Sequence, residues 1–228
     1  MDGRDDQARP RPVATAEEAL ALAGVENVSR ETLDRLTAFV ALLKKWQGAT
    51  NLIAPGTLPD IWRRHIADSA QLVALFSDAQ VWLDLGSGAG FPGLVVAMIR
   101  AERGGQVHLV ESDTRKAAFL REAIRATVVR ATVHQGRIED VLAEWRIDTD
   151  LVTARALAPL ARLFDLVAPL IPLGVRGAFQ KGREYRREIA EASKSWEFDL
   201  VKHKSRIEDD AVILDITHLR PKQPTRPA

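Results

Sequence analysis

The chain has no cysteine. That absence excludes a disulfide framework and thiolate metal sites, and it fits a reducing, cytoplasmic setting. It also excludes pyrimidine C5 methylation through a covalent cysteine adduct. No metal site is expected. A long apolar run is missing too: the most apolar stretch, 163–174, is broken by Asp165, Pro169 and Pro172, so no membrane span is expected. The opening Met1-Asp2-Gly3-Arg4-Asp5-Asp6 is charged and lacks an apolar centre, which predicts no signal peptide. Nor does charge of one sign dominate. Lys and Arg number 32 against 31 Asp and Glu, a net charge of +1, so binding of nucleic acid would have to rest on local patches. There is no internal repeat. What remains is a chain of 228 residues, 46% of them hydrophobic, enough for one domain of ordinary size with an extension.

The most informative segment is Val81-Trp82-Leu83-Asp84-Leu85-Gly86-Ser87-Gly88-Ala89-Gly90-Phe91-Pro92-Gly93. Val81–Leu85 is apolar apart from Asp84, as a strand covered on both faces should be. The glycines free the backbone and let a ligand lie against it. Leu94–Ile99 then reads as the start of a helix whose free N–H groups point at that ligand. A nucleotide-like cofactor is the first expectation, and a glycine turn that merely packs helix on strand is the plain alternative. Gly86-x-Gly88-x-Gly90 is one residue tighter than the dinucleotide fingerprint. Val107–Glu111, about 25 residues after Gly86, is a second strand ending in an acid suited to ribose hydroxyls. Glu111 fits NAD and S-adenosylmethionine alike, and is otherwise an ordinary strand-end acid.

Residues 1–12 and 221–228, rich in proline and charge, are expected to be disordered. An all-helical front is expected over 13–78. Thr15-x-x-Glu18 makes a capping box, and a longer helix follows Ser29 with Leu33, Leu36, Val40 and Leu43 at helical spacing. A third helix is predicted from Thr57-Leu58-Pro59-Asp60 to about Phe76. From Val81 strands and helices alternate: strands at 81–85, 107–111, 132–134, 151–153 and 175–180, with a helix predicted over 157–170. Two strands, 198–204 and 212–219, then follow in succession. Alternation predicts a parallel sheet with right-handed crossovers, and the final pair predicts an antiparallel hairpin. The expected fold is α/β, Rossmann-like, with a seven-stranded, mostly parallel sheet. It is the layout of class I S-adenosylmethionine-dependent methyltransferases, here over 79–220 with an N-terminal helical extension. NAD loses ground at this point.

These motifs together resemble one family. The segments are Trp46-x4-Asn51-Leu52-Ile53, Trp62-Arg63-Arg64-His65-Ile66-x-Asp68-Ser69, the run Asp84–Gly93, Gly136-Arg137-Ile138-Glu139, Ala154-Arg155-Ala156 and Lys181-Gly182. The chain resembles the glucose-inhibited division protein B family, bacterial enzymes that methylate N7 of a guanine in 16S ribosomal RNA (guanine 527 in the usual rRNA numbering). The resemblance spans about 15–220. It implies S-adenosyl-L-methionine as cofactor and 16S rRNA of the small ribosomal subunit as partner. It implies cofactor contacts at Gly86, Phe91, Ile138, Glu139 and Arg155, to which the glycine turn adds Gly88 and Gly90 and strand two adds Glu111. The loop Gln47-Gly48-Ala49-Thr50 departs from the family, which usually has more polar or basic residues there.

Guanine N7 carries a lone pair and no proton, so its methylation needs alignment and no general base. The segment Thr153-Ala154-Arg155-Ala156-Leu157 lacks the Asn/Asp-Pro-Pro-aromatic turn common in enzymes that methylate exocyclic amines. Arg155 is the expected catalytic residue, orienting guanine or cofactor through its fork of donors; its plain alternative is pairing with a helix acid. Arg64 is expected near RNA, His65 near the cofactor or RNA entrance, and Lys181 on RNA phosphate or the pocket wall. For His65 the alternative is a hydrogen-bonded structural role, for Lys181 a solvated strand end, and for Glu139 a helix acid favoured by the macrodipole. Basic residues gather at Arg115, Lys116, Arg121, Arg125 and Arg130, and again from Lys181 to Arg206 among acids. A monomer is expected. The rivals are a small-molecule methyltransferase and a non-catalytic ribosome-binding factor.

Overall fold

The computed structural model describes residues 13–223. Its strands are β1 (Val81–Leu85), β2 (Gln106–Glu111), β3 (Ala131–Gln135), β4 (Leu151–Arg155), β5 (Arg176–Lys181), β6 (Trp196–Lys204) and β7 (Val212–Pro221). They form one seven-stranded sheet in the order β3-β2-β1-β4-β5-β7-β6. The first five strands run parallel, while β7 lies antiparallel to both β5 and β6. The expected fold is therefore present, hairpin included.

The helices are α1 (Ala16–Ala23), α2 (Arg30–Gln47), α3 (Asp68–Leu75), α4 (Gly93–Arg100), α5 (Thr114–Thr127), α6 (Ile138–Ala143), α7 (Leu160–Val167) and α8 (Tyr185–Ser195). Successive strand residues point to opposite faces. Trp82, Val107, Leu109, Leu151, Ala178 and Ile213 enter one core with α1–α5. Leu83, Leu85, Val110, Val152, Phe179 and Leu214 enter the other with α6–α8. The front helices thus share a core with the sheet. Strand order reverses between β1 and β4, which opens a crevice at the carboxyl ends of the strands, where such folds bind ligands. None of the described helices is long and apolar enough to cross a membrane.

Three expectations are corrected. The helix predicted over 57–76 is not continuous: Pro55–Asp60 is a 3-10 turn, Trp62–Ala67 a wider π turn, and only α3 is α-helical. Ile61, Ile66, Leu72 and Val73 are all buried, so their spacing reports one buried face and carries no mark of the extra residue in the wide turn. The helix predicted over 157–170 begins only at Leu160 and gives way to a 3-10 turn at Ala168–Leu173. Finally, Pro221 still pairs with Trp196, and the Lys222 N–H donates to the Ser195 carbonyl at 2.8 Å, so the expected tail does not begin at 221. The expected disorder of 1–12 and 224–228 lies outside the described residues.

Candidate functional site

Two clefts lie side by side at the carboxyl ends of the strands. The first, about 430 Å³, is lined by Gly86, Gly88, Glu111, Ile138 and Glu139, with Leu157 among the residues opposite. The chain leaves β1 at Gly86 with φ +65° and passes Gly88 with φ +54°, conformations that glycine adopts without strain. A Cβ on Gly86 would stand 2.6 Å from Leu157 Cδ1, so this turn is closed against the chain after β4. Glu111, buried at the end of β2, accepts from the Gly88 N–H at 2.8 Å and the Asp113 N–H at 2.7 Å. Its carboxylate fixes the turn and keeps further lone pairs on both oxygens. Ile138 opens α6 and packs against the second core. Glu139 sits half-exposed on the rim, ion-paired with Arg162.

Asp84, the one polar residue of β1, is wholly buried. It accepts from the Gly93 N–H at 3.2 Å and the Thr153 hydroxyl at 2.8 Å, joining β1 to α4 and β4 beneath the glycine turn. Burial raises its pKa to about 6 against those hydrogen bonds.

The second cleft, about 410 Å³, is lined by Asp68, Arg155, Gln180, Lys181, Glu188 and Glu208 among others. Arg155 ends β4 and is gripped from four sides. Its Nη1 donates to the Arg64 carbonyl and to Asp68 Oδ2, both at 3.2 Å, and its Nη2 donates to His65 Nδ1 at 2.9 Å. Its guanidinium lies 5.0 Å over the Phe91 ring. The π turn explains how one short segment does this: its widened bonding brings the Arg64 carbonyl and the His65 ring to a single guanidinium. Because arginine only donates, His65 Nδ1 must accept, which leaves the proton on Nε2 to donate to Thr57 Oγ1 at 2.8 Å. Burial, then the charges of Arg155 and Arg64, lower the His65 pKa to about 3. His65 is therefore a neutral acceptor, and it stacks on Phe91 with ring centres 4.9 Å apart.

Asp68 also accepts from Gln180 Nε2 at 2.9 Å and Gln71 Nε2 at 2.8 Å. Its pKa is raised by burial, an effect that Arg155 opposes. Gln180 Oε1 is buried with no partner among the described residues. The Lys181 side chain is 8% exposed, with Nζ donating to the Ala158 carbonyl at 2.6 Å and 2.7 Å from Glu188.

The structure thus brings Gly86, Gly88, Glu111, Ile138 and Glu139 to one cleft, and Arg155 and Lys181 to its neighbour. Gly90 and Phe91 line neither; Gly90 starts the turn into α4 and Phe91 supports Arg155 from the core. Arg155 does pair with a helix acid, Asp68, as its plain alternative supposed. Lys181 is not the solvated strand end of its plain alternative: it lines the wall of the second cleft with its ammonium held by Ala158 and Glu188. Arg64 is half-exposed with Glu208 at 3.9 Å. Sequence reasoning missed Asp68, Gln71, Gln180 and Glu188. Asp68 stood inside the quoted Arg-His-x-x-Asp-Ser segment, whereas the two glutamines carried no signal.

Comparison with known proteins matches residues 32–211 to the GidB family, rRNA small subunit methyltransferase G. The ribosomal RNA small subunit methyltransferases G of Brucella suis and Brucella ovis are 54% identical to the chain over 201 residues, covering 87% of it and 93% of each relative. Among solved structures, an O-methyltransferase from Bacillus cereus in complex with SAH has a TM-score of 0.56 at 14% identity, covering 89% of this chain and 97% of that one. Cofactor-bound Rv0187 from MTB has a TM-score of 0.58 at 15% identity, covering 91% and 98%. At such identities the two structures speak for the fold alone.

Proposed function

The chain belongs to the rRNA small subunit methyltransferase G family, and on that premise we propose that it transfers a methyl group from S-adenosyl-L-methionine to N7 of guanine 527 in 16S rRNA. The observation that carries the reading is the shared wall: Ala156, Leu157 and Ala158 line both clefts, so a cofactor in one and a base in the other would meet across three residues. The first cleft fits the cofactor. Its volume lies within the usual range for small-molecule sites, and the turn at Gly86 and Gly88 offers bare backbone. Glu111 would accept ribose hydroxyls, Ile138 would pack on the adenine, and Glu139 would close the rim with Arg162. S-adenosylmethionine supplies a methyl already activated on a sulfonium.

The residues of the second cleft then have one task, to hold guanine N7 in line with that methyl. No proton has to leave N7, and the histidine at the site offers no base: His65 is neutral and spends its lone pair on Arg155. Arg155, fixed by Asp68, His65 and the Arg64 carbonyl, would orient the base. The Glu208 carboxylate on the cleft wall suits a base that presents N–H donors on its Watson–Crick edge. Such a base has to leave its stack to enter. Exposed Arg183, Arg186 and Arg187 beside this cleft offer contacts to the RNA backbone.

The test is transfer of labelled methyl from S-adenosylmethionine to small-subunit particles that lack the modification, followed by mapping of the base. Label on N7 of one 16S guanine is the expected result. Tight cofactor binding with no label on rRNA, but with label on a small metabolite, would replace the RNA by that metabolite.

A further inference from the structure

The segment 156–159, here termed the strap, links β4 to α7 and separates the two clefts. It has no regular structure of its own. Ala156 stands at φ +52°, a conformation that costs a non-glycine residue energy and persists only when its surroundings impose it. Leu157 leans on Gly86 of the glycine turn. At the far end α7 starts after Pro159, which gives no side-chain cap to the orphan N–H groups of the first turn.

Two side chains from beyond the strap hold it. Lys181, the last residue of β5, donates from Nζ to the Ala158 carbonyl at 2.6 Å. Glu188, on α8, stands 2.7 Å from the same Nζ and accepts from the Leu160 N–H at 2.8 Å. Lys181 and Glu188 are 8% and 23% exposed at their side chains, so water screens the pair little. Ammonium, carboxylate, strap carbonyl and first helical N–H form a closed set. Glu188 thereby caps α7 from a different helix, and Lys181 pins the strap from a different strand.

We infer that Lys181, braced by Glu188, is a positioning residue that sets the height of the strap between methyl donor and acceptor. The inference rests on the proposed methyl transfer. A displacement of about 1 Å at a reacting centre can cost about 100-fold in rate, and the strap follows directly on Arg155 and touches both clefts. The competing assignment, Lys181 on an RNA phosphate, requires a solvent-facing ammonium that this pair does not provide.

Two variants of the full chain, Lys181→Met and Glu188→Gln, test the inference. Three quantities are read: kcat with S-adenosylmethionine and small-subunit particles both saturating, particle affinity against salt, and hydrogen exchange at the Leu160 amide. With the strap pinned as described, both variants lose about 10- to 100-fold in kcat and keep particle affinity and its salt slope. The Leu160 amide exchanges about 10-fold faster in each. The inference is overturned if Lys181→Met weakens particle binding, lowers the salt slope by about one and leaves kcat unchanged. Tighter particle binding by Glu188→Gln, which would free the ammonium for phosphate, overturns it as well. The exchange measurement needs no acceptor. If the wild-type chain labels no rRNA, the methyl-transfer reading fails by itself, and unchanged Leu160 exchange in both variants still overturns the strap.

Discussion

The two clefts that share the strap are built in opposite ways. The first is made of backbone and strand ends: two glycines at positive φ, a carboxylate that ties them to β2, and the start of α6. The second is made of side chains that hold one another. Arg155 is fixed by Arg64, His65 and Asp68, and Asp68 in turn by Gln71 and Gln180. A site built of backbone tolerates changes nearby and fails when a glycine gains a side chain. A site built of a buried network fails as a unit, because each member removed strands another without its partner. The difference suits the two tasks proposed for the clefts. A cofactor of fixed shape needs a socket, and a base drawn out of folded RNA needs donors and acceptors held ready in one geometry.

The sharpest way to break this contrast is Arg155→Ala. Loss of one partner from a largely buried pair costs about 3–5 kcal/mol, and Asp68 is left among Gln71 and Gln180 with no cation. Stability should fall by about 3 kcal/mol in urea unfolding, and turnover by about 100-fold or more. Cofactor affinity measured by calorimetry should change little, since Arg155 lines only the second cleft. A stable, fully active variant would remove the network from the mechanism. Gly86→Ala inverts the pattern. Its Cβ would meet Leu157 at 2.6 Å in a backbone that disfavours any side chain. About 1–3 kcal/mol of strain should appear as cofactor affinity lost about 10- to 100-fold, with affinity for small-subunit particles retained. Glu111→Gln is milder. The amide keeps one acceptor for the Gly88 or Asp113 N–H and loses the charge, so a loss of about tenfold in cofactor affinity is expected.

The same contrast governs what the sequence disclosed. Gly86, Gly88 and the strand before them are adjacent in the chain, and a continuous apolar run plus glycine spacing marks them without further information. Glu111 followed from its place at a strand end. The Arg155 network comes from residues 64–71, 155 and 180, and nothing local to Gln71 or Gln180 says that they will meet Asp68. The π turn was illegible for a related reason: one extra residue per turn changes which carbonyl faces Arg155 and leaves the buried face of the segment intact. Lys181 read as a contact to RNA phosphate or to the pocket wall, and sequence alone does not choose between them because it does not reveal that Glu188, on the next helix, folds back on the ammonium. Chemistry held by backbone was legible, and chemistry held by side chains across elements was not.

Acidity should touch the two functions of the second cleft unequally, and this is the smallest effect expected. Turnover should stay nearly flat from about pH 6 to about pH 8, because N7 needs no base and the one histidine at the site, with a pKa of about 3, does not titrate there. Stability should not stay flat. His65 and His108, the latter buried against His134 with a pKa of about 4, remain neutral in the folded chain while their unfolded counterparts take up protons below about 6.5. The unfolded state then binds more protons, so stability falls as pH falls through that window. Asp84 acts the other way. Its folded pKa of about 6 lies above the unfolded value, so it returns stability as pH drops below about 6. Burial lowers the pKa of His134 as well and raises that of Asp68 alongside Asp84, so with three histidines against two carboxylates the midpoint of urea unfolding should be lower at pH 5 than at pH 7.5. His108→Gln, at a residue that lines neither cleft, should flatten that dependence and leave turnover unchanged. A turnover profile that followed a single ionisation near pH 6.5 would mean that His65 is not the neutral acceptor of Arg155, and the buried network would lose its central hydrogen bond.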